Sequence, residues 1–298
     1  MKKTIWVITI FLLTISVVTR GICSEIDLLI PALENGEKSP ELFRLLTGVN
    51  EFDLLYVEGQ YHLFYDDKIQ TKYRKATTIG GLSAAADELT IAGNYPSAIY
   101  ENGTWHLWLW DNDDKITKHY SAKFAKGPYT FMDECPRYLG DYDVVKSPVD
   151  GSYFAGYKNS ITLRGGVAKS KSLNGPWQDL GYVFTERNQS NWHLGEEADG
   201  SVFFYLNKVY FLFAGWDGVK QRIGIAQVDA QTMKALTKAT CLLSPKESWQ
   251  KRNNSPKVFN PVGFIDPHNA KQVYVYYSQN PSAAFETGWG YIRANVKY

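Results

Sequence analysis

The chain has 298 residues, of which 44% are hydrophobic and 15% aromatic, and its formal net charge is +1. Lys and Arg do not cluster, so no nucleic-acid partner and no binding to an anionic membrane surface is expected. The length, together with the lack of a linker rich in Pro, Ser and Gly, fits one large domain.

The first 24 residues have the layout of a signal peptide. Lys2 and Lys3 precede an apolar run over residues 5–18, and small residues follow at positions 21–24. The alternative is a membrane anchor, but this run is short for a span. We therefore expect residues 25–298 to form the mature protein, without a membrane span, secreted or periplasmic and monomeric. Its segment 25–48 is expected to hold a short helix near 39–46, or to pack over the fold or help close it.

A tight turn followed by an aromatic-rich strand recurs five times. The aromatic anchors of these strands lie 44 to 64 residues apart, at Tyr61, Trp105, Tyr153, Tyr210 and Tyr274. Strand units of this size are typical of propeller blades. The sequence thus predicts an all-β fold, a single five-bladed β-propeller over residues 25–298 with four antiparallel strands per blade.

Acidic residues lie near the start of the predicted innermost strands. Such strands line the axis of a propeller, where a charge is costly unless it is used or paired. Counting back from the turns places Asp53, Asp143 and Asp199 at equivalent positions of blades 1, 3 and 4, with Ser97 in blade 2. Converging carboxyl groups fit the hydrolysis of a glycosidic bond. They also fit a structural calcium ion or a polar plug.

Three segments resemble the five-bladed propeller glycoside hydrolases, families 43 and 62 together with 32 and 68, and family 43 most of all. They are Tyr95-Pro96-Ser97-Ala98-Ile99-Tyr100, Gly166-Val167-Ala168-Lys169-Ser170-Lys171 with the turn Asn174-Gly175-Pro176-Trp177, and Asp199-Gly200-Ser201. The resemblance spans residues 49–298 and implies a hydrolase that acts on carbohydrate, with no cofactor required.

The resemblance also implies roles for single residues. Asp53 takes the place of the general base or nucleophile, and Asp143 that of the Asp that orients the acid. Glu197 is the expected general acid, with Asp199 as the alternative. A family-43 enzyme inverts the anomeric carbon, and the chain lacks the Asn-Asp-Pro-Asn signature of the retaining relatives.

The chain departs from the family pattern in several places. The usual Asp-Pro pair of blade 1 is Asp53-Leu54, and strict spacing to the turn favours Glu51 as the base. Asp141 competes with Asp143, and Ser97 replaces a common acidic residue of blade 2. A non-catalytic glycan-binding propeller, and a propeller without a sugar site, are therefore alternatives.

Four further residues are candidates for substrate binding. Trp110, Trp216 and Trp289 follow aromatic strands or lie near a turn, where they would stack on sugar rings or pack between blades. His193 precedes the acidic cluster and would contact substrate, act as an acid or lie at the surface.

The cysteines of the mature chain give no metal-binding pattern. Cys135 and Cys241 would be able to pair in an exported protein, but a large core does not need a disulfide. No metal site is expected apart from the calcium alternative.

Overall fold

The structure is a computed structural model that describes residues 27–39, 49–185, 191–245, 251–252, 255–279 and 288–297. The expected signal peptide, and all but the first residue of the expected helix at 39–46, lie outside these ranges. Within them, no helix is long and apolar enough to cross a membrane.

Five four-stranded antiparallel sheets form the five blades, which confirms the predicted fold class. Blade 1 contains Phe52–Val57, Gln60–Asp66, Gln70–Ala76 and Leu89–Ala92; blade 2 contains Asn94–Glu101, Thr104–Asp111, Ile116–Ala122 and Thr130–Glu134. Blade 3 contains Leu139–Lys146, Tyr153–Asn159, Arg164–Ser170 and Gln178–Tyr182; blade 4 contains Glu196–Tyr205, Lys208–Trp216, Gln221–Val228 and Thr240–Leu243. Blade 5 contains Val258–Asp266, Asn269–Gln279, Gly288–Asn295 and Glu37–Ser39. A 3-10 helix at Gly80–Ser83 and a short hairpin, Lys251–Arg252 with Ser255–Pro256, complete the described elements besides one α-helix.

The segment before blade 1 closes the ring, as one of the two expectations for it predicted. Its strand Glu37–Ser39 is the outermost strand of blade 5, with Ser39 opposite Tyr291. The α-helix Leu29–Glu34 comes just before it. Asp27 caps this helix, because its Oδ1 accepts the N–H of Leu29 at 2.9 Å. The first and last parts of the described chain thus share one sheet.

The described residues form six apolar clusters. Five of them each lie between two neighbouring blades, and the sixth is a small cluster of Ala198, Ala214 and Phe259. Aromatic side chains fill most of these spaces, because they suit half-buried strands. Between blades 5 and 1, for example, the rings of Trp289 and Phe52 stack with centroids 3.8 Å apart. The aromatic composition therefore serves packing first.

The two cysteines lie in different blades. Cys135 is buried just after the outer strand of blade 2, and Cys241 is exposed in the outer strand of blade 4. The structure does not join them in a disulfide.

Candidate active site

The inner strands carry two stacked layers of side chains at the axis. We define each layer by its position relative to the hairpin that follows the inner strand. The first layer consists of Glu51, Tyr95, Asp141, Asp199 and Asn260. The second layer lies two residues further along each strand and consists of Asp53, Ser97, Asp143, Ser201 and Val262.

The predicted equivalence of three aspartates is therefore wrong in one place. Asp53 faces Phe64 across blade 1, and Asp143 faces Gly156 at the same level of blade 3. Ser201, and not Asp199, holds this level in blade 4, where it faces Leu212. Because the turns differ in length between blades, counting back from each turn assigned Asp199 to the second layer, although it lies in the first.

A β-bulge in four of the five inner strands builds the first layer. The pairing with the second strand shifts in blades 2 to 5. In each bulge the first-layer residue has a positive φ, between 49° and 55°, at Tyr95, Asp141, Asp199 and Asn260. A bulge bends the strand and redirects a side chain. Four blades use the same local distortion, which argues for a common purpose at the axis.

All five first-layer residues line one pocket. The pocket has an empty volume of about 340 Å³ with its open mouth included. Asp143 and Ser201 reach it from the second layer, whereas Asp53 and Ser97 do not line it.

The acidic groups of the first layer perturb one another. Burial and the charges of Asp199 and Asp141 raise the pKa of Glu51 well above its ordinary value. Burial, with the charge of Asp141, raises the pKa of Asp199 to about 7. The charge of Glu51, with burial, also raises the pKa of Tyr95, so its phenol stays protonated. Glu51 and Asp199 therefore titrate as a coupled pair that retains a proton near neutral pH.

A lysine that the sequence analysis missed supplies a positive charge. Lys158, near the end of the second strand of blade 3, places Nζ 3.0 Å from Asp141 Oδ2 and 3.2 Å from Glu196 Oε1. Burial alone would lower the pKa of Lys158, but Asp141, Asp199 and Glu196 raise it well above its usual value. No pattern in the sequence pointed to it, because a single lysine near the end of a strand is common. The sequence does carry a signal for Tyr95 and Asn260, because each of them lies two residues before a residue of the second layer.

The second layer links neighbouring blades. Asp53 Oδ2 accepts the backbone N–H of Ala98 in blade 2 at 2.7 Å, and Oδ1 accepts its neighbour Leu54 N–H at 2.8 Å. Ser97 Oγ likewise accepts the N–H of Val144 in blade 3 at 2.8 Å. Through its contact with Ala98, Asp53 holds the inner strands of blades 1 and 2 together.

Asp53 and Asp143 are also electrostatically coupled. Burial and the charge of Asp143 raise the pKa of Asp53 to about 8. Burial raises the pKa of Asp143 to about 6, although hydrogen bonds from Ser201 and Ser97 favour its ionised form. The second layer thus holds an acidic pair, in which Asp53 is buried and Asp143 lines the pocket.

Glu197 does not line the pocket. In a regular strand it would share a face with Asp199, but the β-bulge between Ala198 and Ser201 breaks this alternation. Its side chain is fully buried, with Oε1 2.9 Å from His193 Nδ1 and Oε2 accepting the N–H of Gly165 at 3.1 Å. His193 is buried as well and packs against Phe184, with ring centroids 4.7 Å apart. The structure thus brings these two residues together between blades 3 and 4, outside the pocket.

Two of the three tryptophans lie in the interior. Trp289 has no exposed surface, and Trp110 is buried against Gly140 with its Nε1–H donated to Asn112. Trp216 is half-buried opposite Glu196 at the end of blade 4 where the inner strand begins. Lys257 Nζ lies 5.1 Å from its ring centre. Of the three, Trp216 is the one nearest the surface at this end of the propeller.

The described residues do not favour a metal ion. Among them, no group of three or more His, Cys, Asp or Glu side chains is arranged to hold one. Lys158 already provides a cation beside the first-layer carboxyl groups. The possible structural calcium ion stays a prediction.

The comparisons with known proteins identify the fold. No family profile matches the chain, and no curated protein matches its sequence. Among solved structures, a thermostable family-43 glycoside hydrolase has a TM-score of 0.60 at 14% identity, over 83% of this chain and 90% of that one. A putative glycoside hydrolase from Parabacteroides distasonis has a TM-score of 0.64 at 13% identity, over 85% and 88%.

A third solved structure is the catalytic domain of the GH62 α-L-arabinofuranosidase from Coprinopsis cinerea. Its TM-score is 0.60 at 10% identity, over 87% of this chain and 94% of that one. The predicted resemblance to five-bladed propeller glycoside hydrolases is therefore confirmed for the fold.

Proposed function

We propose that this protein is a glycoside hydrolase that cleaves O-glycosidic bonds of poly- or oligosaccharides. One observation carries the proposal: acidic residues at matching positions of blades 1, 3 and 4, namely Glu51, Asp141 and Asp199, line a single pocket at the axis. The fold, which is that of family-43 and family-62 glycoside hydrolases, supports it.

The proposed roles follow the blade order of the resemblance, with the residues taken from the first layer. Asp199 donates its proton to the glycosidic oxygen as the bond from that oxygen to the anomeric carbon breaks. Glu51 takes a proton from the water whose oxygen bonds to that carbon. Asp141 orients the acid. The turnover leaves Asp199 ionised and Glu51 protonated, and transfer of one proton through water restores both.

The electrostatics support a pocket that holds one neutral and one ionised carboxyl group. Hydrolysis needs one neutral and one ionised carboxyl group at the same time. Glu51 and Asp199 both have raised pKa values and are coupled, which favours a state with one proton on the pair. We propose inversion at the anomeric carbon, because the chain lacks the signature of the retaining relatives.

The roles that the resemblance implied for Asp53, Asp143 and Glu197 stay predictions. The hydrogen bonds from blade 2 to Asp53 support a structural role for it instead. The contact of Glu197 with His193, outside the pocket, supports the same for Glu197. Asp143 reaches the pocket, and a role beneath the acid is compatible with its position.

A non-catalytic glycan-binding propeller is the second candidate. It is favoured by the contacts of Asp53 and Glu197, which stand at positions that the resemblance makes catalytic but which are engaged within the protein. In this candidate a glycan binds at the pocket without reaction.

The test is hydrolysis of aryl glycosides and oligosaccharides of arabinose, xylose, fructose, galactose and anhydrogalactose. Arabinosides come first, because one protein of the same fold is an α-L-arabinofuranosidase. Asp199→Asn should lose turnover of unactivated substrates but keep much of it on dinitrophenyl glycosides, whose leaving group needs no proton. The control is Asp150→Asn, since Asp150 lies half-exposed in a turn and pairs with Lys169. No turnover of any substrate, with binding of a glycan retained, would support the second candidate.

We further propose that residues 1–24 are removed on export and that the mature protein is a monomer. The charged and apolar layout of the first residues supports cleavage. The N-terminal sequence of the exported protein and its mass in solution test both points.

A further inference from the structure

Lys158 connects two blades at the edge of the pocket. It lies in the second strand of blade 3, opposite Gly140, and its Nζ reaches Asp141 of its own blade and Glu196 of blade 4. Gly140 has no side chain, which allows the ring of Trp110 to pack against it; an added Cβ would lie 3.1 Å from that ring. The two carboxylates hold the end of the lysine side chain, and 19% of that side chain's surface is exposed.

Acidic side chains outnumber basic side chains among the described residues around the pocket. Glu51 comes from the start of blade 1, Asp141 from blade 3, and Glu196 and Asp199 from blade 4. The neighbouring first-layer groups of blades 2 and 5 are the neutral Tyr95 and Asn260, and Asp66 of blade 1 also acts on Glu51. Among the described residues around these acids, Lys158 is the cation that contacts them directly.

One ammonium group cannot keep all of these acids ionised in a buried site. The acid that it contacts most closely is Asp141, whose side chain is 4% exposed. A direct ion pair favours the charged form of its carboxylate. Glu51 and Asp199 lie without such a contact, and the charge of Lys158 acts on both of them through space.

We propose that Lys158 is a positioning residue that holds Asp141 and Glu196 together across blades 3 and 4 and whose positive charge favours the ionised forms of Glu51 and Asp199. Its catalytic consequence rests on the proposed hydrolase function. Its effect on the titration of these two acids does not, because that effect is a property of the free protein.

The first test is the pH profile of kcat/KM for Lys158→Met and Lys158→Arg. Without the cation, Glu51 and Asp199 should keep their protons up to a higher pH. The acidic limb and the alkaline limb of the profile should therefore both shift to higher pH by about 1 pH unit. Lys158→Arg keeps the charge and should leave the limbs in place. Lys169→Met is the matched control, since Lys169 is a blade-3 lysine paired with Asp150 outside the pocket.

The second test needs no substrate. The carboxyl carbons of Asp and Glu, labelled with ¹³C, are titrated by NMR in the wild type and in Lys158→Met, with Asp199→Asn and Glu51→Gln used for assignment. The inference predicts that the midpoints of Glu51 and Asp199 rise by about 1 unit in the methionine variant.

The outcomes separate the two proposals. A wild type without turnover but with the NMR shift would end the hydrolase proposal and support the role of Lys158. A folded Lys158→Met variant with unmoved midpoints would overturn the role of Lys158, whatever the activity. Loss of thermal stability alone, with both limbs and midpoints in place, would likewise show a structural role and overturn it.

Discussion

The direction of a single side chain decides which acid reaches the pocket. Glu51 and Asp53 lie two residues apart and face the same side of the strand, yet Glu51 lines the pocket and Asp53 binds the N–H of Ala98. The sequence contained both candidates, and strict spacing to the turn favoured Glu51. The spacing alone did not reveal that Asp53 has backbone donors from another blade, because those contacts join residues 45 positions apart.

The same residue-level reasoning explains the outcome for Glu197. The motif of the family has an acid in this segment, and three acids, Glu196, Glu197 and Asp199, lay within four residues. Only the β-bulge decides which of them turns toward the axis. Such a bulge depends on pairing with the second strand, so local sequence did not predict it.

The raised pKa of Asp199 gives a prediction for the pH dependence of activity. Because the proposed acid must be protonated, kcat/KM should fall as the pH rises through about 7, the pKa of Asp199. The pH profile on a substrate with a poor leaving group measures this limb. A profile that stays flat to pH 9 would contradict the role of Asp199.

A pair of variants separates the hydrogen bond of Asp53 from its charge. Asp53→Ala should lower the free energy of unfolding by about 1–3 kcal/mol, because the buried N–H of Ala98 loses its acceptor. Asp53→Asn keeps one acceptor oxygen for the N–H of Ala98 but turns its NH2 group toward the N–H of Leu54, so it should be destabilised less than Asp53→Ala. Chemical denaturation measures both, and equal destabilisation by the two variants would argue against the inter-blade bond.

At the scale of elements, the blades were predictable and their distortions were not. The aromatic second strands repeat in the sequence because each fills the space between two blades. The hairpins at Gly127-Pro128 and Gly175-Pro176 repeat for the same reason, and both peptides are cis. The closing strand Glu37–Ser39 carries no such pattern, since it is short and its partner is more than 250 residues away.

The close approach of two inner elements gives a stability prediction. A Cβ added at Gly156, in the second strand of blade 3, would lie 2.0 Å from the carbonyl oxygen of Gly200 in blade 4. Gly156→Ala should therefore separate the two blades and cost about 3 kcal/mol or more of unfolding free energy. Gly80→Ala is the control, because nothing lies within 4 Å of its added Cβ. Equal melting temperatures of the two variants would contradict the packing of blades 3 and 4.

At the scale of the molecule, buried acids at the axis oppose the packing of the blades. Folding raises the pKa of Asp53 to about 8, of Asp199 to about 7, and of Asp66 and Asp143 to about 6. The folded state therefore binds more protons than the unfolded state between about pH 4 and pH 8. This arrangement fits a functional centre better than a structural plug, which would be more stable with apolar side chains.

The sign of this linkage predicts how stability depends on pH. A raised folded pKa gives stability that is fully present below the unfolded value near 4 and is lost as the pH rises through the folded value. The melting temperature should thus fall by several degrees between pH 5 and pH 8. Asp53→Asn should show a smaller fall, and a wild-type melting temperature that rises over this interval would contradict burial of the acids.

The central claim is that the first layer, and not the second, performs hydrolysis of a glycosidic bond. The most direct measurement compares kcat/KM of Glu51→Gln and Asp53→Asn with the wild type on the best substrate of the panel. The account predicts a loss of about 10²–10⁴ for Glu51→Gln and less than about tenfold for Asp53→Asn, whose oxygen still accepts the N–H of Ala98. A large loss for Asp53→Asn with activity retained in Glu51→Gln would contradict it.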